Sequence, residues 1–222
     1  FVAAVVGNSV HQDIRHNTFP LVFTAPVTKL QYLAGRFLAA NVILLFVFSS
    51  IGIAFFAASL TASVDERLIG PHHLLSYLQP YLFAVIPNTL LIGAVFFGVA
   101  ALSRSMLPVY VSAVVLFVGY LIAAVLSTQL DSKYVAGLID PFGNFALEHV
   151  TQYWTVAEKN SKSRPLSGLL LVNRIVWTLA GIGMLAVTCW WFRMEQGGED
   201  RRRIRDAPVG GPAARDLALP VA

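Results

Sequence analysis

The chain has 222 residues, of which 56% are hydrophobic and only 13% charged, and its mean hydropathy is +0.67. Soluble domains are about 45–50% apolar and about 25% charged, so this balance excludes an ordinary soluble domain and points to a polytopic membrane protein. The formal net charge of +4 does not indicate nucleic acid, because Arg201, Arg202, Arg203 and Arg205 cluster just past a hydrophobic run, where basic flanks of membrane spans collect.

In chain order, the opening FVAAVVG has no basic region before it and is not a signal peptide. It reads as the end of a span, about residues 1–9, which makes the chain a piece of a longer protein. Residues 15–36, RHNTFPLVFTAPVTKLQYLAGR, are too polar and too broken by Pro20 and Pro26 to cross a bilayer, yet they carry Phe19, Leu21, Val22 and Phe23. Thr28 and Gln31 form the capping-box pattern T-x-x-Q, which predicts a helix from Lys29. Leu30, Leu33, Ala34, Phe37 and Leu38 form a stripe that runs on into the next span. Upstream, the prolines predict a turn presenting Phe19, Leu21 and Phe23 to the membrane surface or to a partner.

A membrane helix needs about 20 mostly apolar residues. Four runs qualify: 37–60, 81–102, 109–127 and 169–192. The fold class is therefore all-α, a transmembrane helix bundle of four full spans and part of a fifth over residues 1–194. A basic tail or linker follows at 195–222. In the second full span Pro87, with Asn88 beside it, predicts a break, read either as a packing kink or as a hinge beside a translocation route. Ala94 with Gly98, and Gly119 with Ala123, would let helices approach closely. Segment 140–158 predicts an amphipathic helix, capped by Asp140 with Pro141 at its first position. Its apolar face holds Phe142, Phe145, Ala146, His149, Val150, Tyr153, Trp154 and Ala157. Too short and polar to span, it is expected to lie in the interface or over the mouth of the bundle. A smaller copy occupies 71–79.

Chemistry-bearing patterns are few. There is no phosphate-loop motif and no H-E-x-x-H. His11 and His16 fall on different helix faces, His72 and His73 diverge as neighbours, and both pairs read as interfacial histidines. The single Cys189 rules out an internal disulfide. No catalytic, cofactor-binding or metal-ligating residue is expected. Among the spans only Arg174 is ionisable, with Asn173 beside it, about one turn into the last one. It reads either as a snorkelling or structural cation or as a lining of the route. No span carries a carboxylate of the kind an ion-coupled carrier uses. If segment 10–36 is cytoplasmic, that side holds Arg15, Lys29, Arg36, Arg104 and the six arginines from Arg193 onward. The other side holds Arg67, Lys133, Lys159, Lys162 and Arg164. The positive-inside rule therefore places segment 10–36 and the tail in the cytoplasm.

These pieces resemble the permease of a type-2 ABC transporter (ABC-2). FTAPVTKLQYLAGRFLAA, residues 23–40, is similar to that family's stretch of a small residue and Pro, then Tyr-Leu-x-Gly-Arg, leading into its third span. DPFGNFALEHVTQYWTVAEKN and LLLVNRIVWT are similar to the outer helix before the sixth span and to the Asn-Arg start of that span. Similar stretches occur in long bacterial permeases whose chain also carries an M1-like metallopeptidase domain. The resemblance covers most of residues 1–194, and span one and any peptidase domain are absent from this chain.

The resemblance implies an inner-membrane exporter working by alternating access, with ATP and Mg on a separate ATPase subunit and a second permease unit as partner. It also implies that the inner segment docks the ATPase through Arg15, Phe19, Leu21, Phe23, Pro26 and Lys29. Pro87, Asn88, Asn173 and Arg174 would serve as hinge or route, and Phe142, Phe145, Tyr153 and Trp154 as the outer helix. The competing readings are the membrane anchor of a metallopeptidase and an ion-coupled secondary transporter.

Overall fold

The structure, a computed structural model, describes residues 1–16, 27–60, 74–130, 132–155, 158–159 and 168–192. Among these the chain is helical, without strands, and four helices are long and apolar enough to cross a membrane. It is a polytopic, multi-pass membrane protein. α1 covers Val2–Arg15, α2 Lys29–Ser59, α3 Leu74–Pro80, α4 Ile86–Ser103, α5 Met106–Thr128, α6 Lys133–Ile139, α7 Asn144–Thr151 and α8 Gly168–Trp191. The long helices alternate in direction. The carboxyl end of α1, the start of α2 and the carboxyl end of α8 meet at one end of the bundle, called the foot below. The α6–α7 hairpin closes the other end.

α4 is the central helix. It packs on α8, α1, α5 and α2, and its buried residues include Gly93, Ala94, Gly98, Ala100 and Ala101. Lipid tails are as apolar as leucine, so close backbone approach and hydrogen bonds hold membrane helices together, with no hydrophobic drive between them. The glycines show that approach directly. A Cβ on Gly98 would stand 2.7 Å from the Thr188 hydroxyl, and one on Gly181 would stand 2.8 Å from Leu90 and 3.2 Å from the backbone of Leu91. Gly93 faces Phe37 and Asn41 of α2, beside an edge-on contact of Phe37 with Phe97 at 5.4 Å. Of the two predicted small-residue pairs, Ala94 with Gly98 is therefore buried. Gly119 and Ala123 are exposed, with nothing within 4 Å of Gly119.

α2 and α5 turn most of their surface outward, and Val109 is the buried residue of α5. Phe46, Phe55, Val114, Val115 and Phe117 are all well exposed. In water such faces would aggregate; in a bilayer they are solvated. Hydroxyls on these helices turn inward onto their own backbone: Ser49, Ser50, Ser112 and Thr128 donate to the carbonyls of Phe46, Val47, Val109 and Val125. No water is present in hydrocarbon, so this internal bonding satisfies the groups locally.

Three boundaries differ from expectation. First, α1 continues to Arg15, past the helix end expected near residue 9, while α2 begins at Lys29 as expected. The Thr28 capping box is present as expected, with the Gln31 amide donating to Thr28 Oγ1 at 3.3 Å and the Thr28 amide donating to Gln31 Oε1 at 2.9 Å. Second, the helix expected over 71–79 is α3, which runs without a break into the second span, so Tyr77–Ser103 forms one apolar helix of 27 residues. The join is a π turn, Tyr81–Val85, in which the Ile86 amide reaches the Tyr81 carbonyl five residues back. Pro87 lacks an N–H and crowds the preceding turn. The wider turn accommodates this, and the Thr89 hydroxyl is shared between the Val85 and Ile86 carbonyls.

Third, segment 140–158 is not one helix capped by Asp140. α6 ends at Ile139, and Asp140–Gly143 is a turn. Helix resumes at Asn144 and stops at Thr151. Gly143 is the reason, because it sits in the left-handed region at φ 75° and breaks the helix that Pro141 would start. Asp140 still caps, but from across the turn, accepting from the amides of Phe142 and Phe145 at 2.9 Å each.

Candidate functional site

At the foot, three helix ends are tied together. The Tyr32 hydroxyl donates to Asp13 at 2.8 Å, and the Arg36 guanidinium forms an ion pair with the same carboxylate. Asp13 is buried and Arg36 is about one-third exposed. Lys29 Nζ donates to the Trp190 carbonyl at 3.2 Å, where α8 ends with unsatisfied carbonyls, and Phe192 stacks on Tyr32 with centroids 6.2 Å apart. The start of α2 is thus fastened to both α1 and α8. Of the expected docking residues, Arg15 ends α1 exposed and Lys29 opens α2. Phe19, Leu21, Phe23 and Pro26 lie outside the described residues. Asp13 was missed by sequence reasoning. The signal was present, since Asp13 is the sole acid among the first 36 residues, all other charges there being basic.

At the opposite end, Asn173 and Arg174 organise a second polar cluster. Asn173 is fully buried, and its Nδ2 donates to the carbonyls of Gly137 at 2.7 Å, Asp140 at 2.8 Å and Leu138 at 3.3 Å. One amide group therefore caps the carboxyl end of α6, whose last carbonyls have no partner within their own helix. Trp177 Nε1 adds a bond to the Leu138 carbonyl at 3.1 Å. Arg174 is 6% exposed. Its Nε donates to Asn173 Oδ1 at 3.0 Å, Nη1 to Asn88 Oδ1 at 3.0 Å and Nη2 to the Pro141 carbonyl at 3.2 Å. Gly143 lies against the guanidinium so closely that a Cβ there would collide with it. The structure thus brings together Asn88, Asn173 and Arg174, which are distant in sequence. Pro87, half-buried, sits beside them at the π turn.

The hairpin residues divide. Phe142 packs edge-on against Tyr120 at 4.5 Å, and Asn144 Nδ2 donates to the Tyr120 hydroxyl at 3.0 Å. Phe145 lines a cavity of about 200 Å³ with Lys133, Glu148 and His149. Tyr153 is 88% exposed and lies beyond the end of α7, while Trp154 is partly covered. The expected single apolar face is therefore split between the hairpin and its exit. Among the described residues no three His, Cys, Asp or Glu side chains gather as metal ligands. Neither polar cluster presents a nucleophile beside a base; each is built to hold helix ends. Comparison with protein-family models, with curated proteins and with solved structures finds no match.

Proposed function

We propose that this chain is the membrane-spanning permease segment of an ATP-driven transporter of the ABC-2 type, moving its substrate by alternating access. A separate ATPase subunit supplies ATP hydrolysis, and the chain itself is not an enzyme. The observation that carries the reading is the foot. Segment 17–26 leaves α1 just after Asp13 and enters α2 just before the Thr28 cap, and Asp13, Tyr32, Arg36 and Lys29 join α1, α2 and α8 at that point. A push on this segment by a partner therefore acts on three helices at once. A peptidase anchor would need only one span. None of the four long apolar helices carries a carboxylate of the kind that binds a coupling ion.

In this reading Phe19, Leu21 and Phe23, flanked by Arg15, Pro26 and Lys29, dock the ATPase from the cytoplasmic side of a bacterial inner membrane. A second permease unit completes the route, and the α6–α7 hairpin sits on the outer face. The test is co-purification of the full-length protein with its ATPase subunit. Phe19→Ala with Phe23→Ala is expected to reduce recovery of the ATPase by about tenfold, the equivalent of about 1.4 kcal/mol, while the melting temperature of the permease stays unchanged. Undiminished recovery, or a genome neighbourhood with no Walker-motif ATPase, overturns the reading and favours the anchor.

A further inference from the structure

A cavity of about 90 Å³ opens beside Arg174, bounded by the π turn, α7 and α8. Its apolar walls include Phe83, Ala84, Phe142, Leu147 and Leu170, and Arg174 is the cationic group on its surface. Arg174 is held by neutral acceptors, the side-chain carbonyls of Asn88 and Asn173 and the backbone carbonyl of Pro141. Asp140 is the nearby acid, but its carboxylate is turned to the amides of Phe142 and Phe145. The four bonds of Arg174 leave one Nη1 N–H unused. Gly143 and Asn144, at the amino-terminal turn of α7, lie on the cavity wall.

Depth identifies the kind of anion. Asn88, the partner of Arg174, is sixteen residues from Arg104, about 24 Å along a helix at 1.5 Å per residue. With Arg104 at one edge of a hydrocarbon layer about 30 Å thick, the guanidinium lies near the other edge. That is about 6 Å inside the edge, within reach of a lipid phosphate drawn in at the headgroup boundary, and exposed Pro80 and Asn144 line the cavity. A free anion would have to enter between apolar walls, whereas a lipid brings an apolar body along with its charge. We propose that this cavity binds the phosphate of an anionic phospholipid, steadying the hairpin against α8. A zwitterionic headgroup fits less well, because its own cation would approach the guanidinium. The inference stands apart from the transport reading and holds for a permease or an anchor alike.

The test uses full-length protein in a neutral detergent, with short-chain phosphatidylglycerol as the probe and phosphatidylcholine and inorganic phosphate as comparisons. Phosphatidylglycerol is expected to raise the melting temperature and to survive as a bound adduct in native mass spectrometry. Ala84→Phe fills the cavity from its wall. Asn144→Asp sets a carboxylate on the cavity wall and replaces the bond Asn144 donates to the Tyr120 oxygen with one the Tyr120 hydroxyl donates to the carboxylate. Each is expected to weaken phosphatidylglycerol binding by about tenfold or more, with the lipid-free melting temperature unchanged. Should Ala84→Phe fail to fold, Asn144→Asp decides. Equal binding of phosphatidylcholine, the same stabilisation by inorganic phosphate, or full affinity in Asn144→Asp each overturns the proposal.

Discussion

Asn173 shows how much one buried amide carries in a membrane protein. Its Nδ2 donates to the Gly137, Leu138 and Asp140 carbonyls, sharing the last two with Trp177 Nε1 and the Gly143 amide, and its Oδ1 receives Arg174. A buried acceptor left without a donor costs about 1–3 kcal/mol, and Asn173 is fully buried. Asn173→Leu, similar in size, is therefore expected to destabilise the protein by about 3 kcal/mol, read from its unfolding midpoint in a denaturing detergent. A shift below the error of the measurement would show that the hairpin is held by something else. The adjacent pair Asn173–Arg174 was visible in the sequence as the one polar interruption at the start of the last run. Its partners were not, because Gly137, Asp140 and Asn88 lie 33 to 86 residues away.

At the scale of elements, helix contact in this bundle depends on absent side chains. Gly181 meets Leu90 and Leu91 of α4, whereas Gly183, two residues on, has nothing within 4 Å. Gly181→Val must force α4 and α8 apart and is expected to cost about 2–3 kcal/mol. Gly183→Val, equally β-branched and in the same helix, is expected to change the unfolding midpoint little. Equal effects of the two would mean that helix propensity, not packing, sets the cost. The start of α2 was legible because a capping box is local: two side chains and two amides within one turn. The runs expected at 109–127 and 169–192 correspond to helices Met106–Thr128 and Gly168–Trp191, since bilayer thickness sets the length of an apolar run. The hairpin was not legible. The pattern of residues 140–158 fits a helical period, but Gly143 against Arg174 and the Asp140 cap impose a turn that periodicity does not reveal.

For the whole molecule, Gln12 and Tyr153 are exposed at opposite ends of the bundle. Under the orientation proposed above, with the excess of Lys and Arg at the foot on the inside, Gln12 is cytoplasmic. In full-length protein carrying Cys189→Ser, a membrane-impermeant maleimide is expected to label Tyr153→Cys in intact cells. It should label Gln12→Cys only after permeabilisation. The reverse pattern would invert the orientation and move the proposed docking segment to the outside, where no ATPase subunit could reach it.

The membrane class, the number of long spans and the Thr28 start of α2 followed from the sequence alone. Each depends on composition or on contacts within one helical turn. Tertiary structure decided which helix is central, that Asp13 joins Arg36, and that Arg174 is enclosed by Asn88, Asn173 and the hairpin turn. Those outcomes depend on which faces meet after helices distant in the chain pack together. In apolar spans the hydrophobic pattern marks no preferred face, so small residues and scattered polar groups make that choice, and their partners are set only in three dimensions.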